Sequence, residues 1–166
     1  MIDFFQARLI ALAREEGYKI EIIHAIAKTA VVDPCIFFAR VRALADAQAN
    51  DPEVFGDLAA AFTRASRLAQ PELGMDVQED LLTEPEQALF DSSIQGRNNV
   101  EKALANGEYE QALIALADLR EPIDRFFTDV LVMDEDTRLR TNRLRLLNLF
   151  VSVFDKVANI ASLSKQ

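Results

Sequence analysis

The chain has 166 residues, half of them apolar and 27% charged, with a formal net charge of −9. Those proportions exclude an intrinsically disordered chain, and five Gly and five Pro are too few for the turns of a β-sandwich or barrel. A single Cys and a single His exclude an internal disulfide framework and a multi-ligand zinc site, and no window nears the roughly 18 apolar residues of a membrane span.

From the N-terminus, Ile2, Phe5, Leu9, Leu12 and Ala13 set a helical stripe over 2–16, with Gly17 as its stop. A second helix over 18–30 carries Ile22, Ile23, Ile26 and Ala27. Asp33-Pro34 reads as an N-cap followed by a first-turn proline, starting a helix to about Gln48. Asn50-Asp51-Pro52 repeats the signal and starts a helix to about Ala69, with Phe55, Leu58, Ala59, Phe62 and Leu68 inward. Residues 70–82 hold Pro71, Gly74 and several acids without a period, and read as a surface loop. Thr83 with Glu86 three residues on is a capping box, opening a helix to about Leu104 that Asn106-Gly107 ends. Glu108–Leu119 follows, with Ala112, Leu113, Leu116 and Ala117 inward. Pro122 breaks or kinks the run, and Ile123, Phe126, Phe127, Val130 and Leu131 fit a helical stripe. Asp134-Glu135-Asp136-Thr137 caps a last helix expected over Arg138–Ile160. The expected fold is an all-α bundle of about seven to eight helices in one domain.

Charge is unevenly spread. Residues 70–136 hold 4 Lys/Arg against 17 Asp/Glu, whereas residues 137–166 hold 6 against 1, a local +5 on an acidic protein. Such asymmetry permits a local anion-binding face. The chain has no Walker, Rossmann, zincin or nucleophile-elbow motif. His24 reads as a packed or surface histidine and Cys35 as a small buried apolar residue. Asp124 and Asp129 read as ion-pair partners, Arg125 to Asp129 being an i, i+4 pair. No catalytic residue and no metal ligand is expected. The Met-Ile-Asp-Phe-Phe start has neither a basic flank nor a cleavage site, so no signal peptide is expected. A lone Cys suits a reducing, cytoplasmic compartment.

The informative stretch is 119–147. It reads Leu119-Arg120-Glu121-Pro122-Ile123-Asp124-Arg125-Phe126-Phe127, then Val130-Leu131-Val132-Met133, then Leu139-Arg140-Thr141-Asn142-Arg143-Leu144. It resembles the C-terminal anticodon-binding domain of the bacterial glycyl-tRNA synthetase β subunit, whose typical run is L-R-x-P-V-D-x-F-F-D-x-V-M-V-M followed by L-R-x-N-R-L-x-L-L. Phe4-Phe5-x-x-Arg8-Leu9, Arg40-Val41-x-Ala43-Leu44 and Leu58-Ala59-Ala60-Ala61-x-x-Arg64 fit the same family, as does the tail from Leu149 to Ile160. The sequence departs from the family's usual residue at His24, Arg67, Thr128 and Asn159. The resemblance implies a helical bundle like the anticodon-binding domain of the class I arginyl-tRNA synthetase, with residues 1–166 a single domain excised from the C-terminus of a larger β subunit. It implies that this domain grips the anticodon stem-loop of glycine tRNA. Its partners would be the remaining β-subunit domains and a catalytic α subunit, and ATP and Mg would bind elsewhere in the whole enzyme. The contrasting reading is a helical protein–protein module that does not bind RNA.

Helical geometry sorts the side chains of the last helix by face. At about 100° per residue from Arg138, the apolar stripe Leu139, Leu146, Phe150, Val153, Val157 centres near about 90–100°. Arg138, Asn142 and Arg145 then share a polar face, Arg140 lies at its edge, and Arg143 lies inside the apolar stripe. Arg64, Arg67, Arg138, Arg140, Asn142 and Arg145 are the candidate RNA contacts, because Arg forks match phosphate and Asn can both donate to and accept from a cytosine edge. Arg143 is expected to reach a carboxylate such as Asp124 or Asp129 as a buried pair, and Arg120 to form a structural ion pair.

Overall fold

Eight α-helices and no strand form among residues 2–29, 31 and 33–163, which are those the computed structural model describes, positions 2 and 3 by backbone alone. They are α1 (Ile2–Glu15), α2 (Ile20–Ala27), α3 (Pro34–Asn50), α4 (Pro52–Leu68), α5 (Glu84–Ala105), α6 (Tyr109–Ala117), α7 (Arg120–Asp129) and α8 (Thr137–Ser152). The all-α expectation holds. The side chain of Ile2, counted in the first stripe, and Ala30, the expected end of the second helix, lie outside the described residues.

The local signals act mostly as their chemistry dictates. Asp33 Oδ1 accepts from the N–H groups of Cys35 (2.8 Å) and Ile36 (3.2 Å), and Pro34 takes the first helical position. Asp51 does not repeat this cap. It closes α3 and opens α4 as one shared residue, with φ −132° and ψ 66°, and this backbone is not the extended form that a capping side chain needs. Gly107 ends α5 at φ 72°, a conformation that disfavours other residues. The Glu108 N–H then bonds back to the Ala103 carbonyl at 2.8 Å, and α6 folds against α5 as a hairpin.

The core lies where α4 and α5 each pack on α8. The Phe62 and Phe154 rings stand 4.8 Å apart edge-on, and Phe150 and Phe154 stand 5.2 Å apart. α7 runs alongside α4: Arg120 reaches Asp57, and seven residues later Phe127 reaches Arg64. Gly96 sits buried in α5 beneath Leu119 and Val153. A Cβ there would meet side-chain carbons at 3.6–3.7 Å, ordinary contact distance. Gly96→Ala therefore raises stability by about 0.5–1 kcal/mol, since it removes the helix-interior glycine penalty. Urea denaturation checks this, and a lower midpoint would show that the Leu119 contact cannot adjust.

Several expectations are corrected. Among the described side chains of α1, only Leu9 and Ala13 are buried; Phe5 and Leu12 are exposed along with Phe4, because α1 packs against α2 and α3. Cys35 is exposed rather than buried. α7 ends at Asp129 and Val130 turns extended, so Leu131 has no helical slot and stands in solvent. α8 ends at Ser152 rather than Ile160. Beyond it, Val153, Phe154, Val157, Ala158, Ile160 and Leu163 are all buried. The Asn159 N–H bonds to the Ala25 carbonyl (2.8 Å) and the Tyr109 hydroxyl to the Val157 carbonyl (2.6 Å). A straight helix could not present so many apolar side chains to α2, α4 and α6 at once, and those tertiary bonds replace the helical ones.

Candidate nucleic-acid interface

One end of the bundle gathers the C-terminal turns of α4 and α7 and the first turns of α5 and α8. Side-chain bonds trace the cluster: Arg64 to Phe127, Arg125 to Glu84, and Arg143 to Glu86 and Asp134. Most candidate residues from the sequence lie around it.

Arg143 is buried at the centre. Its Nε donates to Glu86 Oε1 (2.8 Å), and its Nη1 donates to the Leu131 carbonyl (2.7 Å) and to Asp134 Oδ2 (3.1 Å). Glu86 is 1% exposed, and its Oε2 accepts from the Thr83 N–H at 2.9 Å. The capping box thus supplies the buried partner of Arg143. The expected partners were Asp124 or Asp129, but these lie on the exposed side of α7. Asp129 faces Arg125 at 3.6 Å, and Asp124 faces Arg120 at 3.9 Å. Arg120 is a structural ion pair as expected, with Asp57 at 2.6 Å and Glu53 at 3.8 Å. Partial desolvation beside α4, with the Asp57 charge adding to it, raises the Asp124 carboxyl above its ordinary range against the opposing pull of Arg120. The Asp136 N–H, followed by Arg143, holds the Asp134 carboxyl below the usual range.

The polar face expected on α8 is not open. Segment 70–82 forms two short 3₁₀ turns, Pro71–Leu73 and Glu79–Leu81, and lies along that face as a strap. Asn142 Oδ1 accepts from the Gln78 N–H (2.7 Å) while its Nδ2 donates to the Gln78 carbonyl (3.0 Å). Asn148 grips Gln70 in the same two-way fashion (3.1 and 2.8 Å) and also donates to the Gly74 carbonyl (2.8 Å). Arg145 donates to the carbonyls of Leu73 (3.0 Å) and Asp76 (3.4 Å). A carboxamide carries the same donor and acceptor as a peptide unit, so these asparagines satisfy the backbone of a segment with few partners of its own. Asn142 is buried with its amide engaged at both ends. Asn142 and Arg145 therefore fasten the strap and do not share an open surface with Arg138. Asn148 was missed, because no motif in the sequence marks a side chain whose partner is backbone.

The remaining cations face solvent to different degrees. The Arg138 side chain is 77% exposed and lies 3.7 Å from Asp136, which also caps α8 through the Arg138 N–H (2.9 Å). Arg140 is half-buried and donates to the Asp134 carbonyl at 3.1 Å. Arg64 is exposed on α4 with its guanidinium 4.2 Å from the centroid of the Phe127 ring, a cation–π stack. Arg67, one turn on, is exposed with no partner among the described residues. The sequence reads Phe127 only as part of an apolar stripe and not as a partner of Arg64: the two lie 63 residues apart, and only the packing of α7 on α4 joins them.

Among the described residues, no group of three or more His, Cys, Asp or Glu side chains is placed to hold a metal ion. None of their helices is long and apolar enough to cross a membrane. The arrangement offers planar Arg groups on a rigid frame, which suits stacking and phosphate contact.

Residues 58–163 match the family model described as DALR anticodon binding domain. The chain is also similar to proteins named glycine--tRNA ligase beta subunit. The one from Desulforudis audaxviator (strain MP104C) is 37% identical over 97% of this chain and 23% of its own length. That of Vibrio campbellii (strain ATCC BAA-1116) is 37% identical over 99% of this chain and 24% of its own. That of Actinobacillus pleuropneumoniae serotype 5b (strain L20) is 36% identical over 98% and 24%. The chain spans about a quarter of the length of the curated relatives it matches.

Proposed function

Since the chain belongs to the DALR anticodon binding domain family, we propose that it grips the anticodon stem-loop of glycine tRNA as one domain of a glycine–tRNA ligase β subunit. The observation that carries this reading is the Arg64–Phe127 stack. A guanidinium already backed by an aromatic ring offers its outer face to an unstacked base and its edges to phosphate oxygens, with little rotamer freedom left to lose. Arg67, Arg138 and Arg140 supply phosphate contacts around it, and the strap held by Asn142, Arg145 and Asn148 keeps the surrounding backbone in place.

In this reading the domain does no chemistry. Glycine activation, with ATP and Mg, belongs to the remainder of a larger cytoplasmic enzyme that includes a catalytic α subunit. The names of the relatives and the share of their length that this chain covers support that division. A protein-docking role fits a different face, the exposed Phe4, Phe5 and Leu12 of α1, and does not compete for the same residues.

A titration of this chain with a glycine-tRNA anticodon stem-loop at two salt concentrations tests the proposal, beside a control loop with both anticodon cytosines changed. Binding is expected to weaken with salt, with a log–log slope of about −2 to −3 for three or four phosphate contacts, and to be lost by the control. Equal binding to both loops would overturn anticodon reading. Absence of binding at low salt would overturn the RNA role of this chain.

A further inference from the structure

The segment joining α7 to α8 is stitched down at nearly every residue and leaves two apolar side chains outside. The Leu131 carbonyl accepts from Arg143, Val132 is buried, the Asp134 carboxylate binds Arg143 and the Asp136 N–H, and the Asp134 carbonyl accepts from Arg140. Between these anchors Leu131 is 68% exposed and Met133 52%. Exposed apolar side chains are ordinary on mobile loops. On a turn clamped by a buried arginine they are pre-positioned, and their hydration is a standing cost that a ligand relieves.

We infer that this turn is a nucleobase-binding site, in which Leu131 and Met133 receive the face of an unstacked base while Arg138 holds an adjacent phosphate. The inference rests on the RNA-binding reading and deepens it. The occupant follows from chemistry on the page. Leu131 lies four residues beyond Phe127, at the same end of the bundle as the Arg64 stack. Two of the three acids of the turn are engaged, Asp134 by Arg143 and Asp136 as the α8 cap beside Arg138, while Glu135 is exposed. An exposed apolar pair, with the solvated Arg138 guanidinium following in the first turn of α8, matches the two sides of a nucleotide, an apolar face and an anionic flank. Arg143 touches no RNA in this scheme; it is a positioning residue for the turn.

The test uses the whole chain and two probes, the glycine anticodon stem-loop and a fully paired duplex of equal charge. The double substitution Leu131→Ser with Met133→Ser is expected to weaken stem-loop binding by about 10-fold. Duplex binding, the salt slope and the melting temperature are expected to stay as in the parent, because both side chains are already in solvent. Leu131→Met is expected to bind like the parent. If the parent binds the stem-loop and the double variant binds it equally well, the inference falls and the anticodon reading stands, and the turn is then a surface for protein. If both probes weaken equally, base contact is likewise overturned. If the parent binds neither probe, both readings fall together.

Discussion

Replacing Arg143 by Met lowers the stability of the domain by about 3–5 kcal/mol, the cost of leaving a buried charge without its partner. For a domain of this size that is a fall in melting temperature on the order of 10 °C. The magnitude follows from what remains behind. Glu86 is 1% exposed, and without Arg143 its carboxylate keeps only the Thr83 donors. The Leu131 carbonyl and Asp134 also lose a donor. Arg143→Lys is expected to recover only part of the loss, because one ammonium cannot reproduce a fork that serves three acceptors. Adding Glu86→Leu to Arg143→Met should restore most of the stability, since an apolar pair of similar volume removes the desolvation penalty. The recovery should fall short by about 1 kcal/mol for the lost capping box. Thermal denaturation of the four proteins decides the matter. A single Arg143→Met variant as stable as the parent would show that the pair is not buried in solution.

The second large effect is on binding. Arg64→Ala is expected to reduce affinity for the glycine anticodon stem-loop by about 1–3 kcal/mol, or about 5- to 150-fold, the range for loss of one stacked base. Stability should hardly change, because the Arg64 side chain is exposed and its one aromatic contact is at the surface. Arg64→Lys separates charge from plane: it keeps the salt slope but recovers little of the affinity, since an ammonium offers no face for a base. Phe127→Leu removes the support and keeps the charge, and is expected to fall between the two. A Lys variant that binds as tightly as the parent would sink the stacking role and leave Arg64 as a phosphate contact.

Signals confined to a few neighbouring residues were legible from sequence. Asp33-Pro34, the Thr83/Glu86 box, Asn106-Gly107 and the Asp136 cap each act within one turn of chain, so the local residue types suffice to place them. The position of Arg143 inside an apolar stripe was legible too, because helical periodicity alone puts it there. Its partners were not. The stripe says that Arg143 is buried, but which carboxylate meets it depends on how α5 and α7 pack on α8. The sharpest failure is the face of Arg138, Asn142 and Arg145. Projection on a helix puts these side chains on one side of an isolated α8. It cannot show that an acidic loop lies over two of them, because the loop is held through its peptide groups, which every sequence shares.

The amino-acid sequence by itself determined the all-α class, most helix boundaries, the burial of Arg143 and, through the 119–147 run, the family. These rest on periodicity, caps and residue order, all of short range. The tertiary structure alone decided the early end of α8, the stack of Arg64 on Phe127 and the strap over Asn142, Arg145 and Asn148. Each of these joins residues distant in the chain. Their bonds form only once packing of the apolar faces has set the distances, and the energy of that packing exceeds any local preference.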